Sequence, residues 1–152
     1  MRGPTLFSGY WAAPEVNRTE FRDGWFHMGD LFQQTPDGGY NFVGRSKYLI
    51  KSGGENIYPA EIERVLLADA RIEDATVVRQ PDDKWGEVPV AIIARRSSSL
   101  TMDLIADLCR KELAGYKQPK AFHFIEMDEF KRSATGKIMR EDMEAWVASQ
   151  SD

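Results

Sequence analysis

Residues 44–66 read GRSKYLIKSGGENIYPAEIERVL, and this stretch decides the fold. The apolar run YLI at 48–50 is typical of a strand, and SGGEN at 52–56 predicts a tight loop, since glycine adopts positive φ easily. Pro59 can occupy the first position of a helix, and apolar residues recur at helical spacing over residues 60–70. The stretch therefore predicts a strand, a turn and a helix in close succession.

Elements of both types continue towards the carboxyl end. Strands are predicted over residues 72–78, 88–94 and 121–125, with the polar loop 80–86 between the first two. Thr101 can cap a helix that carries apolar residues from Leu104 to Leu113, and a last helix is predicted over residues 138–148. Helices and strands mixed around a small sheet give an α+β fold.

Residues 1–44 have a different texture, rich in glycine, proline and aromatic residues. Short apolar runs at 25–27 and 40–43 are separated by the turn sequence PDGG at 36–39. This segment predicts short strands and loops without an obvious core of their own. We expect it to be the edge of a larger domain.

The composition restricts the class of protein. A chain of 152 residues with 42% hydrophobic and 29% charged residues is that of an ordinary globular protein. No apolar run approaches 18 residues, so we expect no membrane span, and the amino-terminal residues MRGPTLFSGYW have no apolar signal core, so we expect a cytoplasmic location. Cys109 lies in a helical pattern, which favours a packed side chain. His27 and His123 lack metal-ligand spacing, so we expect no metal site.

Charge is unevenly distributed along the chain. The net charge is −4, which argues against a nucleic-acid-binding protein. Residues 110–140 nevertheless contain eight basic and four acidic side chains. A basic segment on an acidic chain favours a small polyanionic ligand. A solvated face of mixed charge explains the same distribution.

The sequence SATGKIMR at 133–140 ends in a Gly-Lys pair that resembles a phosphate-binding P-loop. That motif requires a glycine five residues before the second glycine and a hydroxyl residue after the lysine. Lys131 and Ile138 occupy those positions, so the P-loop interpretation fails. A plain turn before the last helix, with Lys137 in solvent, remains an alternative from these residues alone.

Four stretches occur in a fixed order and carry a family resemblance: GWFHMGD at 24–30, residues 44–66, KWGEVPVAII at 84–93, and SATGKIMR. Together they resemble the carboxy-terminal part of the adenylate-forming superfamily, which comprises acyl-CoA synthetases, luciferases and peptide-synthetase adenylation domains. The likeness is strongest to acyl-CoA synthetases. Residues 3–21 resemble the closing segment of that family's large amino-terminal domain.

The resemblance implies a reaction in two steps. A carboxylate attacks the α-phosphorus of ATP to give an acyl-adenylate and pyrophosphate, and the thiol of CoA then displaces AMP. By this resemblance Lys137 supplies the cation for the first step, and Asp30 accepts hydrogen bonds from the ribose hydroxyls. The resemblance also implies that Arg45 is a second nucleotide contact, on the ribose or on the phosphate. Mg²⁺ accompanies ATP, with its ligands in the amino-terminal domain, and fatty-acid metabolism is the expected setting.

The same resemblance divides the chain. Residues 1–44 are the end of the amino-terminal domain, residues 45–47 with Lys47 form the hinge, and residues 48–152 form a mobile carboxy-terminal domain. Ser52, Gly53 and Gly54 are implied to line the path of the CoA arm. Three further residues are implied to contact CoA, at positions where the contacts differ between family members: Trp85, Tyr116 and Lys120. An aromatic face and an ammonium group suit the adenine and the 3′-phosphate of that ligand.

Several residues depart from the family pattern. Met28 stands where threonine is usual, Tyr48 follows the hinge where aspartate is frequent, and Phe130-Lys131 replaces a common Leu-Pro. The last change puts the rigidity of the lysine loop in doubt. The family's Ser/Thr/Gly-rich phosphate loop and its acyl pocket have no counterpart in these 152 residues. We therefore expect no adenylation by this chain alone, and its interaction partners are the amino-terminal domain and the substrates.

Two other functions remain open from the sequence. A stand-alone binding module of the same fold, without catalytic activity, would also lack the phosphate loop. An adenylation-domain tail that serves a carrier protein would share the lysine and the glycines. Trp85 and the basic segment favour CoA as the acceptor, and the identity of the acid and the oligomeric state do not follow from the sequence.

Overall fold

A computed structural model of the chain describes residues 1–150. The chain divides into two compact units, Met1–Lys47 and the segment that begins at Tyr48. Helices and small sheets are mixed in this structure, as an α+β fold requires. The predicted fold class is therefore confirmed.

The first unit contains one short helix and two separate two-stranded sheets. In chain order its elements are α1 (Pro14–Glu20), β1 (Phe21–Arg22), β2 (Trp25–Phe26), β3 (Asp30–Gln34) and β4 (Tyr40–Arg45). Both strand pairs are antiparallel, and β3 and β4 are joined by a turn in which the Thr35 N–H donates to the Gly39 carbonyl at 2.9 Å. Helix α1 was not predicted, because it is seven residues long and buries none of its side chains.

A small aromatic cluster packs within this unit, where the sequence indicated no obvious core. The rings of Phe21 and Phe26 stack with centroids 4.7 Å apart, and Phe7 meets each of them edge-on at 5.2 Å. Tyr10 packs edge-on against Phe7 at 5.1 Å. Such pairs add stability beyond the area they bury, but Phe7 and Tyr10 remain 44% and 45% exposed, so the rings form a surface cluster around the buried Phe26.

The second unit is built on one five-stranded sheet. Its elements are β5 (Ile50–Ser52), β6 (Glu55–Ile57), α2 (Pro59–Leu67), β7 (Ile72–Asp82), β8 (Gly86–Arg95), α3 (Met102–Glu112), β9 (Ala121–Phe124) and α4 (Arg140–Ser149). Strand β8 pairs antiparallel with β7 along its whole length. On its other edge, β8 pairs first with β5, in antiparallel orientation, and then with β9, in parallel orientation. It is therefore the central strand of the sheet.

Two groups of buried side chains are packed against this sheet. Ile62 and Leu66 of α2 and Ile105 of α3 belong to one group, and Met143 and Val147 of α4 belong to the other. The strands β7 and β8 alternate between the two groups, since successive side chains of a strand point to opposite faces. The predicted helix start at Pro59 is confirmed, and so is the cap of α3, where Thr101 Oγ1 accepts from the Leu104 N–H at 3.4 Å.

Three predicted elements differ from the structure. Residues 46–48 form a 3₁₀ turn, and the strand expected at 48–50 begins only at Ile50. The loop expected at 80–86 is largely strand, because β7 and β8 continue pairing through Pro81 and Glu87. The last helix begins at Arg140 instead of residue 138, since Ile138 pairs with Arg132 in an isolated β-bridge.

Candidate functional site

Asp30 and Arg45 lie opposite each other in the β3–β4 register. Nε of Arg45 is 2.7 Å from Oδ1 of Asp30, although the geometry does not make a hydrogen bond, and Oδ1 is buried. The Asp30 side chain is only 17% exposed. The sequence suggested two separate nucleotide contacts, and the structure unites them in one ion pair.

Asp30 also lines a pocket of about 660 Å³ within the first unit. Its walls include Met28 and Gly29 next to Asp30, the basic residue Arg22 and the aromatic residue Phe26. Small-molecule sites have volumes of roughly 300–1,000 Å³ and combine apolar walls with a few polar groups. This pocket has both properties, and the unusual Met28 is part of its wall.

Lys47 is exposed and lies in the 3₁₀ turn Ser46–Tyr48, where the first compact unit ends. The amide of Ser46, just before it, donates to the Gly29 carbonyl at 2.8 Å. Lys47 is thus the last residue before the second unit begins. The role of hinge stays a prediction for this residue.

The predicted CoA-facing glycines form the two-residue turn between β5 and β6. Ser52 pairs with Glu55, and Gly53 and Gly54 have φ of +58° and +88°. Positive φ at both central positions is the geometry of a type I′ hairpin turn, which strongly favours glycine. The Gly53 N–H donates to the Trp85 carbonyl at 2.8 Å, so the turn is tied to the turn that precedes β8.

The ring of Trp85 packs directly on Gly53. A Cβ added at Gly53 would come within 2.7 Å of Cε3 of Trp85, whereas one added at Gly54 would meet nothing within 4 Å. Asp82 holds the turn that carries the indole, since its Oδ1 accepts from the Lys84 and Trp85 amides at 2.9 and 2.8 Å. Trp85 remains 42% exposed. The structure thus brings the predicted residues 52–54 and Trp85 together.

Tyr116 and Lys120 are placed by the segment that leads into β9. Tyr116 is exposed in the 3₁₀ turn Gly115–Lys117, and the backbone N–H of Lys120 donates to the Pro89 carbonyl at 2.8 Å. The neighbouring Lys117 forms an ion pair with Glu61 of α2 at 2.8 Å, and this hydrogen bond raises the pKa of Lys117. Within residues 1–150 the ammonium of Lys120 has no such partner.

The order of the strands places the glycine turn and Lys120 along one edge of β8. Ser52 pairs with Gly86 and Ala121 pairs with Val90, so β5 and β9 follow one another on the edge that β7 does not occupy. Four residues of strand span roughly 13 Å. The glycine turn and Lys120 therefore follow one another along this edge of the sheet.

Lys137 follows a tight hairpin instead of the flexible turn that its sequence suggested. The Gly136 N–H donates to the Ser133 carbonyl at 2.8 Å, and the Ser133 N–H donates to the Lys137 carbonyl at 2.9 Å. Gly136 has φ of +80°, as the last residue of a three-residue hairpin loop requires. In the described part of the chain, the exposed Lys137 side chain has no ion pair.

Several residues that support these sites were missed in the sequence. Arg132 Nη1 donates to the Gly136 carbonyl at 2.9 Å, and Arg140 forms an ion pair with Glu63 at 2.7 Å. The acidic partners of the two arginines are distant in the chain: Asp74 lies 58 residues from Arg132, and Glu63 lies 77 residues from Arg140. No local sequence signal marks these ion pairs, because Glu61 and Glu63 are two residues apart in α2 and so do not lie on one face of the helix.

Cys109 is 1% exposed in α3, which confirms the packed role. Burial raises the pKa of its thiol to about 11. Among residues 1–150 no group of three or more histidine, cysteine, aspartate or glutamate side chains is arranged to hold a metal. None of the helices in this range is long and apolar enough to cross a membrane.

The chain was compared with known families, curated proteins and solved structures. The model of the AMP-binding enzyme C-terminal domain matches residues 61–137. The 2-succinylbenzoate–CoA ligase of Bacillus licheniformis is 41% identical over 92% of this chain, which spans 29% of that protein. The ligase of the same name from Geobacillus sp. is 37% identical over the whole chain, which spans 31% of it. The chain thus spans about 30% of the length of the curated relatives it matches.

A solved structure of the o-succinylbenzoate CoA synthetase of Bacillus subtilis, in complex with the acyl-adenylate intermediate, superposes with a TM-score of 0.88 at 35% identity. It covers 94% of this chain, which spans 29% of the synthetase. The curated relatives are named for 2-succinylbenzoate, so they do not support the expected setting of fatty-acid metabolism. The family match extends over half of the chain and includes Lys137. This chain belongs to the AMP-binding enzyme C-terminal domain family.

Proposed function

We propose that this chain is the carboxy-terminal part of an AMP-forming acid–CoA ligase. The reaction joins a carboxylic acid to CoA at the expense of ATP, through an acyl-adenylate, and releases AMP and pyrophosphate. The observation that carries the proposal is the exposed Lys137, with no ion pair in the described chain, at the end of a hydrogen-bonded hairpin within the family match. We take 2-succinylbenzoate as the first acid to test, because the curated relatives carry its name.

In the first half-reaction an oxygen of the acid attacks the α-phosphorus, and the bond to pyrophosphate breaks. Negative charge accumulates on the bridging oxygen and on the departing pyrophosphate. The ammonium of Lys137, on a long stem, can approach that charge as a point cation. We assign the ligands of the Mg²⁺ that accompanies ATP to the amino-terminal domain, as the family resemblance implies.

For the nucleotide, we assign Asp30 and Arg45 to the ribose side of AMP. The pocket beside Asp30 has the volume of a small-molecule site. The Arg45 guanidinium lies 2.7 Å from Oδ1 of Asp30, so the two side chains are already adjacent before a ligand arrives. Hydrogen bonds from the ribose hydroxyls to this carboxylate are then charge-assisted, and thus stronger than neutral ones.

In the second half-reaction the sulfur of CoA attacks the acyl carbon, and the bond to AMP breaks. We assign the glycine turn to the pantetheine arm, because Gly54 has no heavy atom within 4 Å of a Cβ position. Trp85, Tyr116 and Lys120 would hold the remaining length of CoA along the edge of β8. Rotation at Lys47 would bring the lysine hairpin to the reacting groups in the first step and the glycine turn to them in the second step.

The decisive experiment is a chimeric ligase in which this chain replaces the matching segment of the Bacillus licheniformis relative. With 2-succinylbenzoate, ATP and Mg²⁺, we expect pyrophosphate release, and with CoA we expect thioester. Lys137→Ala should lower acyl-adenylate formation by roughly 10² to 10⁴, the effect of removing one preorganised electrostatic contact. It should spare the reaction of preformed acyl-adenylate with CoA.

Lys131→Ala is the matched control, because Lys131 is an exposed lysine of the same hairpin. That variant should keep both half-reactions. An inactive chimera, or equal losses in both half-reactions for Lys137→Ala, would contradict the proposal. The chain alone should release no pyrophosphate with any acid, since it lacks a phosphate loop and an acyl pocket.

A further inference from the structure

Arg132 connects the lysine hairpin to the central sheet. Its Nη1 donates to the Gly136 carbonyl at 2.9 Å, and its Nη2 forms an ion pair with Oδ2 of Asp74 on β7. The guanidinium also lies over the ring of Phe130, 5.4 Å from the centroid. The side chains of Arg132 and Asp74 are 29% and 23% exposed. The guanidinium thus has a partner on the hairpin, on the sheet and in the core.

The carbonyl that Arg132 holds belongs to the peptide between Gly136 and Lys137. A planar peptide allows no independent rotation of its carbonyl and of the following N–H. That N–H, of Lys137, donates in turn to the Ser133 hydroxyl at 3.3 Å. Holding the Gly136 carbonyl fixes the plane of this peptide, and the Ser133 N–H holds the Lys137 carbonyl at 2.9 Å on the other side of the residue. Together the two contacts restrict the direction in which the Lys137 side chain leaves the backbone.

Asp74 and Phe130 are themselves fixed. Oδ1 of Asp74 accepts from the Ala75 N–H at 2.8 Å, and Asp74 pairs with Ala94 of β8. Phe130 is 4% exposed and packs with the buried side chains around α4. Arg132 thus links the lysine hairpin to a fixed position on the sheet. The hairpin follows Phe130-Lys131, which replaces the Leu-Pro that is common in the family.

We propose that Arg132 is a positioning residue for Lys137, acting through the Gly136 carbonyl and anchored by Asp74. The planar fork of an arginine can bind a carbonyl and a carboxylate at the same time, which a lysine ammonium cannot do with equal geometry. The pairing with Asp74 also offsets the charge of Arg132. The kinetic part of this inference rests on the proposed function, and the structural part does not.

The first test measures ¹⁵N relaxation order parameters in the 152-residue chain. In the unchanged chain the amides of Gly136 and Lys137 should be as ordered as rigid backbone, with values of about 0.85, and Arg132→Ala should lower them towards about 0.6. Arg132→Lys should give intermediate values. Arg71→Ala is the matched control, because it breaks a comparable ion pair with Asp69 outside the hairpin. Unchanged hairpin order in Arg132→Ala would overturn the proposal.

A second variant, Asp74→Asn, tests the positioning role of Arg132 even if Arg132→Ala unfolds the second unit. Asparagine keeps the size of the side chain and the acceptor for the Ala75 N–H, but it removes the charge that anchors Arg132. We expect the amides of Gly136 and Lys137 to lose order while those of β8 stay unchanged. If the hairpin amides keep their order in Asp74→Asn, the proposal is wrong.

The second test uses the half-reactions of the chimeric ligase. Arg132→Ala should lower acyl-adenylate formation by about 10- to 100-fold, since a small misplacement of a catalytic group has effects of that size. Arg132→Lys should recover part of that loss, and the reaction of preformed acyl-adenylate with CoA should be unaffected. If Lys137→Ala itself has no effect, the proposed function fails, whereas the order parameters still decide the role of Arg132. Equal losses in both half-reactions for Arg132→Ala would overturn the positioning role.

Discussion

Replacing Gly53 with alanine probes the contact between the glycine turn and Trp85. At φ of +58°, an L-residue adopts a left-handed conformation that costs about 1–2 kcal/mol. The new Cβ would also lie 2.7 Å from Cε3 and 3.1 Å from Cζ3 of the indole, so the ring must move. Trp85 is 42% exposed, and displacing its partly buried ring loses burial worth about 1–2 kcal/mol. We expect Gly53→Ala to lower the free energy of unfolding by about 2–4 kcal/mol.

Gly54→Ala is the matched control. Its φ is also positive, at +88°, but a Cβ there meets no atom within 4 Å. The cost should therefore be the backbone term alone, about 1–2 kcal/mol. The difference between the two variants isolates the contact with Trp85, and it should disappear when both are made in a Trp85→Ala background.

The measurement is urea unfolding of the 152-residue chain, followed by far-UV circular dichroism and analysed by linear extrapolation. A change in midpoint without a change in slope reports stability alone. If the two alanine variants differ by less than about 0.5 kcal/mol, a margin set by the usual additivity error, the packing of Trp85 on Gly53 is refuted.

Three further predictions concern Lys47, Cys109 and Asp69. In the chimeric ligase, Lys47→Pro should retain a burst of acyl-adenylate but lose most thioester formation, because proline fixes φ. Lys47→Ala should have only a small effect on both half-reactions. Single-turnover kinetics of both steps test this, and equal losses in Lys47→Ala and Lys47→Pro would exclude a hinge. Cys109 should react with a disulfide reagent in urea but very slowly in the native chain at pH 8, since burial raises its pKa to about 11. Hydrogen bonds from the Arg71 side chain and then its amide lower the pKa of Asp69 to about 2. The contribution of Asp69 to stability is present above pH 4 and is lost as the pH falls through 2. Asp69→Asn should therefore flatten the dependence of the free energy of unfolding on pH between pH 4 and pH 2. An unchanged pH dependence would contradict this assignment.

The sequence predicted best the elements whose signals are local. Pro59 marked the start of α2, Thr101 marked the cap of α3, and paired glycines marked a turn with positive φ. Each of these signals depends on the conformation of a few adjacent residues. The α+β class followed from their order along the chain.

Several of the failures depend on pairing between strands or side chains that are not adjacent in the sequence. Pro81 indicated a loop but lies within β7, because Glu87 of the adjacent strand pairs with it. The order of the hairpin around Lys137 could not be predicted from Thr135-Gly136, because Arg132 finds its carboxylate 58 residues away. For the same reason the ion pair of Asp30 with Arg45 needed the register of the β3–β4 hairpin.

The long β7–β8 hairpin has a consequence for the order of folding. Its two strands, of eleven and ten residues, are joined by a short turn, so their pairing brings together residues that are close in sequence. Contacts of this kind form faster than pairings that must close long loops, such as that between β8 and β9. During synthesis from the amino terminus, this hairpin also leaves the ribosome before α3, β9 and the lysine hairpin. We therefore expect Asp74 to be paired on its strand when Arg132 leaves the ribosome, whereas α4, which follows Lys137 and packs on the same face of the sheet, is added only afterwards.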